Sequence, residues 1–249
     1  MKPIRITLLG TNGWYSTETG NTLSIFIQTP DLAIILDAGD GIHKIADICP
    51  EVQIPACLFL SHFHLDHICG MHALARLRFT HGLTIYGPPG TKELLTRFIG
   101  YPFTVPVAEL SYQVTIVDLP EGRSELVIPV TTAPLIHTQL VYGYRLELGK
   151  IITFCTDTGP CDNFLKLANH ADLLISECSY LPGHDTPAWP HMNPEMAITS
   201  AETAGAKKLA LVHFAADLYT TIEKRRDIKK TVEKADDLII GEDGMVIEL

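Results

Sequence analysis

The chain has 249 residues and a formal net charge of -10 at pH 7, with 46% hydrophobic and 19% charged residues. We expect one cytoplasmic globular domain over residues 1–249, because no apolar run is long enough for a membrane span or a secretory signal core. The net negative charge disfavours a protein that binds nucleic acid mainly through contacts with the phosphates. The six cysteines contain no Cys-x-x-Cys pair and are expected to be free thiols.

Short apolar runs typical of buried strands recur along the chain. In order they are Ile4–Leu9, Leu23–Thr29, Ala33–Asp37, Ala56–Leu60, Leu83–Tyr86, Val114–Val117, Leu126–Thr132, Val141–Leu148, Ile151–Thr156, Leu173–Ser176, Leu209–Val212 and Leu238–Ile240. Helices are predicted at 66–79, 90–99, 164–168, 194–204 and 220–234. The fourth has the clearest ends, since Asn193 suits the N-cap, Pro194 the first turn and Gly205 the C-terminal end. This order predicts an α/β fold with sheets at the centre and helices outside.

The segment Ser-His-Phe-His-Leu-Asp-His at residues 61–67 places four potential metal ligands directly after an apolar strand. His62 and His64 are two residues apart, so on an extended backbone their side chains point to the same side. Asp66 and His67 follow, where the chain is expected to turn into a helix. The segment can present two nitrogens to one metal ion, and an oxygen and a nitrogen to a second. The alternative is a solvated, histidine-rich loop.

Three further candidate ligands, His137, Asp157 and His213, each stand at the C-terminal end of an apolar run. Any one of them alone would more often be a structural residue. Behind the segment at 61–67 they predict a site for two metal ions. Nitrogen and oxygen donors of this kind suit Zn²⁺, with Mn²⁺ or Fe as alternatives.

The sequence resembles the metallo-β-lactamase fold superfamily of metallohydrolases over nearly the whole chain. The resemblance rests on Gly10-Thr11, Asp37-Ala38-Gly39, the motif at 62–67, His137, Asp157 and His213. It implies an αββα sandwich, in which two mixed β-sheets are flanked by helices and two divalent metal ions lie at one edge of the sheets.

The resemblance also implies a role for each of these residues. The first ion would be bound by His62, His64 and His137, the second by Asp66, His67 and His213, and both by the bridging Asp157. Asp37 would orient a ligand histidine through a hydrogen bond. The alternative for Asp37 is an ordinary turn aspartate before Gly39.

Residues after the bridging aspartate resemble the ribonuclease Z-like phosphodiesterase branch of this superfamily. Glu177-Cys178-Ser179 stands where that branch has Glu-Ala-Thr, and His191-Met192-Asn193 where it has His-Ser-Thr. By this match Glu177 would orient and charge His191, which would protonate the leaving group, with His184 as the competing donor. A hydroxide held between the two ions would attack, and Asp66 would accept the proton of the water.

The favoured function is a metal-dependent phosphodiesterase for a small anionic substrate, a cyclic or linear phosphodiester. Only 19 residues separate His137 from Asp157, which leaves no room for the long arm with which transfer-RNA-processing members hold their substrate, so a large RNA is not expected. The alternatives are tRNA 3′ processing, hydrolysis of a thioester or lactone on the same site, and, least favoured, a non-catalytic binding subunit. No membrane partner is expected, and a homodimer stays open. Loop aromatics that could stack on a base or sugar are Trp14, Tyr15, Tyr180 and Trp189.

Overall fold

The computed structural model describes residues 3–184, 189–231 and 237–249. The strands are β1 (Arg5–Gly10), β2 (Asn12–Gly13), β3 (Ser24–Gln28), β4 (Ala33–Leu36), β5 (Ala56–Phe59), β6 (Leu83–Gly87), β7 (Val114–Asp118), β8 (Gly122–Glu125), β9 (Pro129–Leu135), β10 (Val141–Glu147), β11 (Ile151–Cys155), β12 (Leu173–Glu177), β13 (Leu209–Val212), β14 (Phe214–Ala215), β15 (Leu238–Ile240) and β16 (Val246–Glu248). The α-helices are α1 (Ile45–Ile48), α2 (Leu65–Ile68), α3 (Thr91–Phe98), α4 (Asp162–Ala168), α5 (Pro194–Ala204) and α6 (Ile222–Arg226). Short 3₁₀ segments cover Asp40–Lys44, Cys69–Arg76, Val107–Glu109 and Asp227–Thr231.

The chain divides into two compact units, each with its own sheet and core. Unit 1 is drawn from Met1–Gly10, Asn21–Leu119 and Asp243–Leu249. Its seven-stranded sheet has the order β16-β1-β3-β4-β5-β6-β7, antiparallel from β16 to β4 and parallel from β4 to β7. Buried side chains of the sheet pack against those of the helical segments, among them Phe26, Ile35, Leu58, Ile85, Ile42, Met71 and Leu74.

Unit 2 is drawn from Thr11–Gly20 and Pro120–Glu242. Its seven-stranded sheet has the order β15-β13-β12-β11-β10-β9-β8, antiparallel from β8 to β11 and parallel from β11 to β15. Helices α4 and α5 pack on this sheet through Phe164, Leu167, Ala197 and Ala201. Strands β2 and β14 form a separate parallel pair. The predicted pair of mixed sheets with helices around them is confirmed.

Parallel strands determine where polar side chains collect in each unit. Neighbouring parallel strands end at the same edge of a sheet, so residues that follow their carboxyl ends come close together. In unit 1, β4 and β5 end just before Asp37 and Ser61. In unit 2, β11 and β13 end just before Asp157 and His213, and β12 ends on Glu177.

Helix α5 has the ends that the sequence predicts. The Asn193 side chain accepts a hydrogen bond from the Met196 N–H at 2.9 Å, and Pro194 opens the first turn. Gly205 ends the helix in the left-handed conformation, with φ of 66°, which a residue without Cβ adopts at no steric cost.

The helix expected at 66–79 is wrong over most of its length. Regular helix stops at Ile68, and a 3₁₀ segment follows to Arg76. The cause is a close approach of two backbones: Ala38 donates to the His67 carbonyl at 2.8 Å, and Gly70 donates to the Ala38 carbonyl at 2.9 Å. These bonds replace the helical ladder, and a Cβ on Gly70 would lie 2.1 Å from the Gly39 oxygen.

Two other predicted elements also need correction. The strand expected at Leu126–Thr132 begins only at Pro129, because 126–128 form the tip of a hairpin between β8 and β9 and Val127 is 61% exposed. The polar strand β8 carries no apolar pattern that could have predicted it. The helix expected at 220–234 is α6 followed by the 3₁₀ segment Asp227–Thr231, and its last residues, 232–234, lie outside the described residues.

Within the described ranges no helix combines the length and apolar character that crossing a bilayer requires. All six cysteines are free thiols, as predicted. Burial raises the pKa of the Cys57 thiol to about 11 and raises the pKa values of Cys155 and Cys178 further above their ordinary range.

Candidate metal centre

In unit 1 a buried carboxylate, Asp37, organises the residues at the ends of β4 and β5. Its Oδ1 accepts from the Ser61 N–H at 2.7 Å. Its Oδ2 accepts from the Ser61 hydroxyl at 2.8 Å and from His67 Nδ1 at 2.7 Å. Asp37 therefore hydrogen-bonds to His67, one of the candidate ligands, and its three contacts are more than a simple turn residue makes.

These contacts determine where the protons of two histidines lie. An ionised carboxylate only accepts hydrogen bonds, so His67 carries its proton on Nδ1 and presents the lone pair of Nε2. The Ser61 proton is used on Asp37, so the Ser61 oxygen accepts from His62 Nδ1, which lies 2.9 Å away. His62 therefore also presents the lone pair of Nε2, the tautomer that a metal ligand needs.

The remaining donors of unit 1 lie at ligand-like spacing. His62 Nε2 is 2.9 Å from His64 Nδ1, close to the separation of about 3.3 Å expected for two nitrogens on one tetrahedral zinc ion with bonds of about 2.0–2.1 Å. His67 Nε2 is 3.5 Å from Asp66 Oδ2. The structure thus pairs His62 with His64 and Asp66 with His67; that each pair binds its own metal ion stays a prediction.

In unit 2 the Asp157 carboxylate lies between two histidines. Its Oδ1 is 3.2 Å from His213 Nε2, and its Oδ2 is 3.8 Å from His137 Nε2. Each oxygen thus faces a different imidazole, which is the geometry that a carboxylate shared by two ions requires. Asp157, His191 and His213 also form a potential metal-binding group, with one donor atom from each lying within 4.8 Å of the others.

A second buried carboxylate, Glu177, holds the other residues of unit 2. Both of its oxygens contact His191 Nδ1, at 2.8 and 3.0 Å. Glu177 also accepts from the backbone N–H groups of Thr158 and Met192 and from the Ser179 hydroxyl at 2.7 Å. These contacts fix the Glu177 carboxylate, which in turn holds the His191 ring in place.

Ser179 repeats in unit 2 the role that Ser61 has in unit 1. Its hydroxyl donates to Glu177, and its oxygen lies 3.0 Å from His213 Nδ1. With the proton on Nδ1, His213 presents Nε2 towards Asp157. In both units, then, one carboxylate holds one histidine directly and a second through a serine.

The His213 ring rests on the backbone of Gly13. A Cβ at residue 13 would lie 2.6 Å from His213 Cε1 and 2.9 Å from Nε2, so only glycine leaves room for the ring. Strand β2 brings Gly13 there, because Asn12 and Gly13 pair with Phe214 and Ala215 directly after His213.

Three of the candidate residues have left-handed backbone conformations, with φ of 55° for Asp37, 49° for Asp157 and 55° for His213. Such conformations are uncommon for residues with a Cβ and occur often at functional sites. Each follows the end of a strand, where the change of conformation turns the side chain towards its neighbours.

The sequence predicted ten site residues that the structure groups by unit: Asp37, His62, His64, Asp66 and His67 in unit 1, and His137, Asp157, Glu177, His191 and His213 in unit 2. His184, the competing proton donor, has its ring 5.0 Å from that of Tyr180, and its carbonyl accepts from Asn193. Sequence reasoning missed Ser61, Ser179 and Gly13. The sequence offered a signal for each serine: Ser61 stands next to a candidate ligand, His62, and Ser179 stands two residues after Glu177.

The donor set fits divalent metal ions. Imidazole nitrogens and carboxylate oxygens are ligands for Zn²⁺, Mn²⁺ and Fe. The serine hydrogen bonds occupy Nδ1 of His62 and of His213, so each ring keeps its Nε2 lone pair for an ion. A fold of two mixed sheets with histidines and aspartates after the strand ends defines a metal-dependent hydrolase.

Comparison with known proteins identifies the family. The model of the Beta-lactamase superfamily domain matches residues 34–214. The chain therefore belongs to that superfamily, as a ribonuclease Z-like metallohydrolase with the metallo-β-lactamase fold. The predicted family and fold are confirmed, and the fold implies divalent metal ions.

Three relatives illustrate the similarity. Ribonuclease Z of Nostoc punctiforme is 27% identical over 308 aligned positions, covering 96% of each chain. The probable metallo-hydrolase YhfI of Bacillus subtilis is 27% identical over 220 positions, covering 84% of this chain and 86% of its own. Its crystal structure superimposes with a TM-score of 0.79, at 23% identity and 99% and 100% coverage. A diphosphatase of the PhnP family has a TM-score of 0.77 at 18% identity, with 99% and 98% coverage.

One expectation requires correction at this point. The sequence disfavoured a large RNA as substrate, but a relative that spans nearly the whole chain is a ribonuclease by name. This similarity weighs against the expectation that a large RNA is not the substrate, although the acidic charge and the short segment between His137 and Asp157 remain as described.

Proposed function

We propose that this hydrolase is a phosphodiesterase that works with two divalent metal ions. The observation that carries the proposal is His191, an imidazole held by the buried Glu177 and grouped with Asp157 and His213. Alkoxide leaving groups need a proton, and an imidazole paired with a carboxylate can supply it. Hydrolysis of a thioester makes less use of such a donor, since thiolates leave readily without a proton. A lactone has an alkoxide leaving group, so it is distinguished from a phosphodiester by the substrate test.

Each metal ion has a proposed ligand set. His62, His64 and His137 would hold one ion, Asp66, His67 and His213 would hold the other, and Asp157 would be shared between them. Zinc is favoured by the five imidazoles, with Mn²⁺ or Fe as alternatives. When bound, the ions supply a water of lowered pKa as the nucleophile and positive charge for the phosphate oxygens.

The chain's own residues then divide the proton transfers. Asp66 accepts the proton of the attacking water, while its partner His67 is held by Asp37. His191 donates a proton to the leaving oxygen, and Glu177 stabilises the imidazolium before transfer. His184 is the weaker candidate, because its described ring contact is with Tyr180 rather than with a carboxylate.

We favour a small phosphodiester, cyclic or linear, as substrate. Between His137 and Asp157 the chain forms only the hairpin of β10 and β11, closed at Leu148 and Lys150, so no substrate-gripping arm is inserted there. The alignment with the Nostoc enzyme extends over 308 positions, whereas this chain has 249 residues. At least 59 positions of that relative are therefore aligned with gaps in this chain. The alignment with YhfI needs only 220 positions.

The second candidate is the tRNA 3′-processing ribonuclease. It is favoured by the ribonuclease Z relative, whose similarity covers 96% of this chain. Both candidates break a phosphodiester with the same groups, so they differ in the size of the substrate and in what holds it.

The test uses protein loaded with defined Zn²⁺ or Mn²⁺, offered bis(p-nitrophenyl) phosphate, small cyclic and linear phosphodiesters, a precursor tRNA, a thioester and a lactone. We expect about two metal equivalents per chain and turnover of the phosphodiesters. Cleavage of the thioester or lactone alone would refute the phosphodiesterase, and cleavage of precursor tRNA alone would leave the second candidate.

His191→Ala tests the proton donor, with His184→Ala as the matched control. His191→Ala should lose about 10²–10⁴-fold in rate on an alkoxide leaving group and much less on p-nitrophenolate, which needs no proton. Equal losses on both leaving groups would remove His191 from this role, and the same selective pattern in His184→Ala would transfer the role to His184.

A further inference from the structure

An exposed aromatic pair stands on the loop that covers His213. Trp14 is 68% exposed and Tyr15 43% exposed, and their ring centroids are 5.3 Å apart with the planes at 61°. Trp14 directly follows Gly13, whose backbone lies against the His213 ring. The pair is therefore attached to the same backbone that seats a proposed metal ligand.

The loop 11–20 is held rigidly from beneath by a buried arginine. Arg225 donates to the Thr11 hydroxyl at 3.0 Å, to the Thr19 hydroxyl at 2.9 Å and to the Asn12 side-chain oxygen. Its guanidinium also lies 4.7 Å from the centre of the Phe214 ring. A fully buried arginine thus fixes the loop through side chains on both sides of the aromatic pair.

Bonds within the loop add to this rigidity. Asn12 donates to the Tyr15 carbonyl at 3.2 Å and to the Thr17 hydroxyl at 3.0 Å. Thr17 and Gly20 exchange backbone hydrogen bonds at 2.9 and 3.2 Å. A surface loop held by this many bonds presents its exposed side chains in one arrangement, which lowers the entropic cost of binding.

The backbone of Trp14 has a conformation that is uncommon for a bulky residue. Its φ is 72°, in the left-handed region that favours glycine or asparagine and penalises bulky residues. The loop therefore carries a large ring, 68% exposed, at a position where glycine would be less strained.

We infer that Trp14, supported by Tyr15, is a stacking platform for the nucleobase of the substrate, so that the substrate class is a nucleotidyl phosphodiester. The inference rests on the proposed phosphodiesterase function. A planar base matches an exposed indole face, and base–aromatic stacking favours every base with little regard to sequence. The base would lie on Trp14 while the phosphodiester reaches towards the metal ions beside His213.

The first test measures binding without turnover. The chain has two tryptophans, Trp14 and Trp189, so in Trp189→Phe the fluorescence comes from Trp14 alone. Adenosine 5′-monophosphate should quench this emission saturably, and ribose 5-phosphate should not. Equal quenching by both compounds would overturn the platform. Quenching that increases with protein concentration when no nucleotide is present would also overturn it, because it would indicate that a second copy of the chain covers this face.

The second test separates the ring from the loop. Trp14→Gly removes the indole and relieves the backbone strain, Trp14→Tyr restores a ring, and Phe103→Ala removes a 73% exposed aromatic of unit 1 as the matched control. On a dinucleoside monophosphate, Trp14→Gly should raise KM roughly tenfold, as one lost stack implies, with kcat changed less than about twofold. Trp14→Tyr should recover most of that loss, and Phe103→Ala should have no effect.

An aliphatic phosphodiester such as glycerophosphoethanolamine distinguishes the two proposals. If the wild-type chain cleaves it and Trp14→Gly alters neither this reaction nor that of the dinucleoside, the platform is wrong and the phosphodiesterase stands. If the wild-type chain cleaves no phosphodiester, the proposed function fails, and the fluorescence titration alone decides whether Trp14 binds a base.

Discussion

The substitution Asp37→Asn should weaken metal binding while leaving the fold intact. The Asp37 Oδ1 accepts from a backbone N–H, which cannot reverse its direction, so the amide oxygen of asparagine must take that position. The amide NH₂ group then replaces Oδ2 beside Ser61 and His67. As a donor, it forces His67 to accept at Nδ1 and to carry its proton on Nε2, the atom meant for the metal ion.

The size of the effect follows from these contacts. Loss of a residue that hydrogen-bonds to a metal ligand typically lowers metal affinity about 10–100-fold. This corresponds to about 1.4–2.7 kcal/mol of binding free energy. Stability of the metal-free chain should change by no more than about 1–2 kcal/mol, because each buried donor can find a new partner. Asp37→Ala is a poorer test, because it leaves three buried donors without an acceptor, at a cost of about 1–3 kcal/mol each. The summed cost approaches the whole stability of a typical domain.

The assay is a zinc titration against a competing chelator, together with thermal unfolding of the metal-free protein and ¹⁵N NMR of the histidine rings. Asp47→Asn is the control, because it removes the same charge from an exposed ion pair with Arg76 in unit 1. We expect weakened zinc binding and an Nε2-protonated His67 in Asp37→Asn only. Wild-type affinity in Asp37→Asn would refute the tautomer argument, and unfolding of its metal-free form would show that the carboxylate acts mainly on stability.

Three other predictions concern neighbouring features. Gly13→Ala should displace the His213 ring, destabilise the fold by about 1–3 kcal/mol and lower zinc stoichiometry in elemental analysis. Gly100→Ala should do none of these, because a Cβ there meets only the Thr96 oxygen at 3.7 Å, an ordinary van der Waals contact; a fully loaded Gly13→Ala would contradict the seating of the ring. Glu177→Gln should slow cleavage of alkyl phosphodiesters about 10²–10⁴-fold, more than that of bis(p-nitrophenyl) phosphate, and uniform slowing would argue against its action through His191. In native protein at pH 8, three thiols should react quickly with Ellman's reagent, and in unfolded protein all six should react. The slow thiols should be Cys57, Cys155 and Cys178, because burial raises their pKa values. Early reaction of any of these three would refute their burial.

Much of the candidate site could be predicted from sequence because its residues follow apolar strands. A strand is visible as an apolar run, and in a parallel sheet the residue after the run lies at a known edge, as Asp157 and His213 do. His137 follows β9, whose neighbours are antiparallel, so for this residue only the end of the apolar run gave the signal. The role of Gly13 depends instead on the absence of a side chain. The position of Ser61 next to His62 is a local signal, but the sequence around it does not show that its partner is Asp37.

The mistaken elements share a physical cause. The helix expected at 66–79 fails because Gly70 meets the backbone of Ala38 and Gly39, a tertiary contact that overrides local helical preference. The strand expected at 126–132 fails because its first three residues turn at a hairpin tip. In both segments the apolar pattern was present, and distant contacts decided the conformation.

The left-handed backbone at Asp37, Asp157 and His213 has a consequence for how such a chain can change. At these positions the backbone alone would favour glycine, while metal chemistry requires an imidazole or a carboxylate. At Asp157 and His213, backbone conformation and the proposed metal chemistry therefore make opposite demands on the same residue. A glycine at either position would remove a proposed ligand and relax the turn at once, so the proposed chemistry can be lost by a single substitution that the backbone favours.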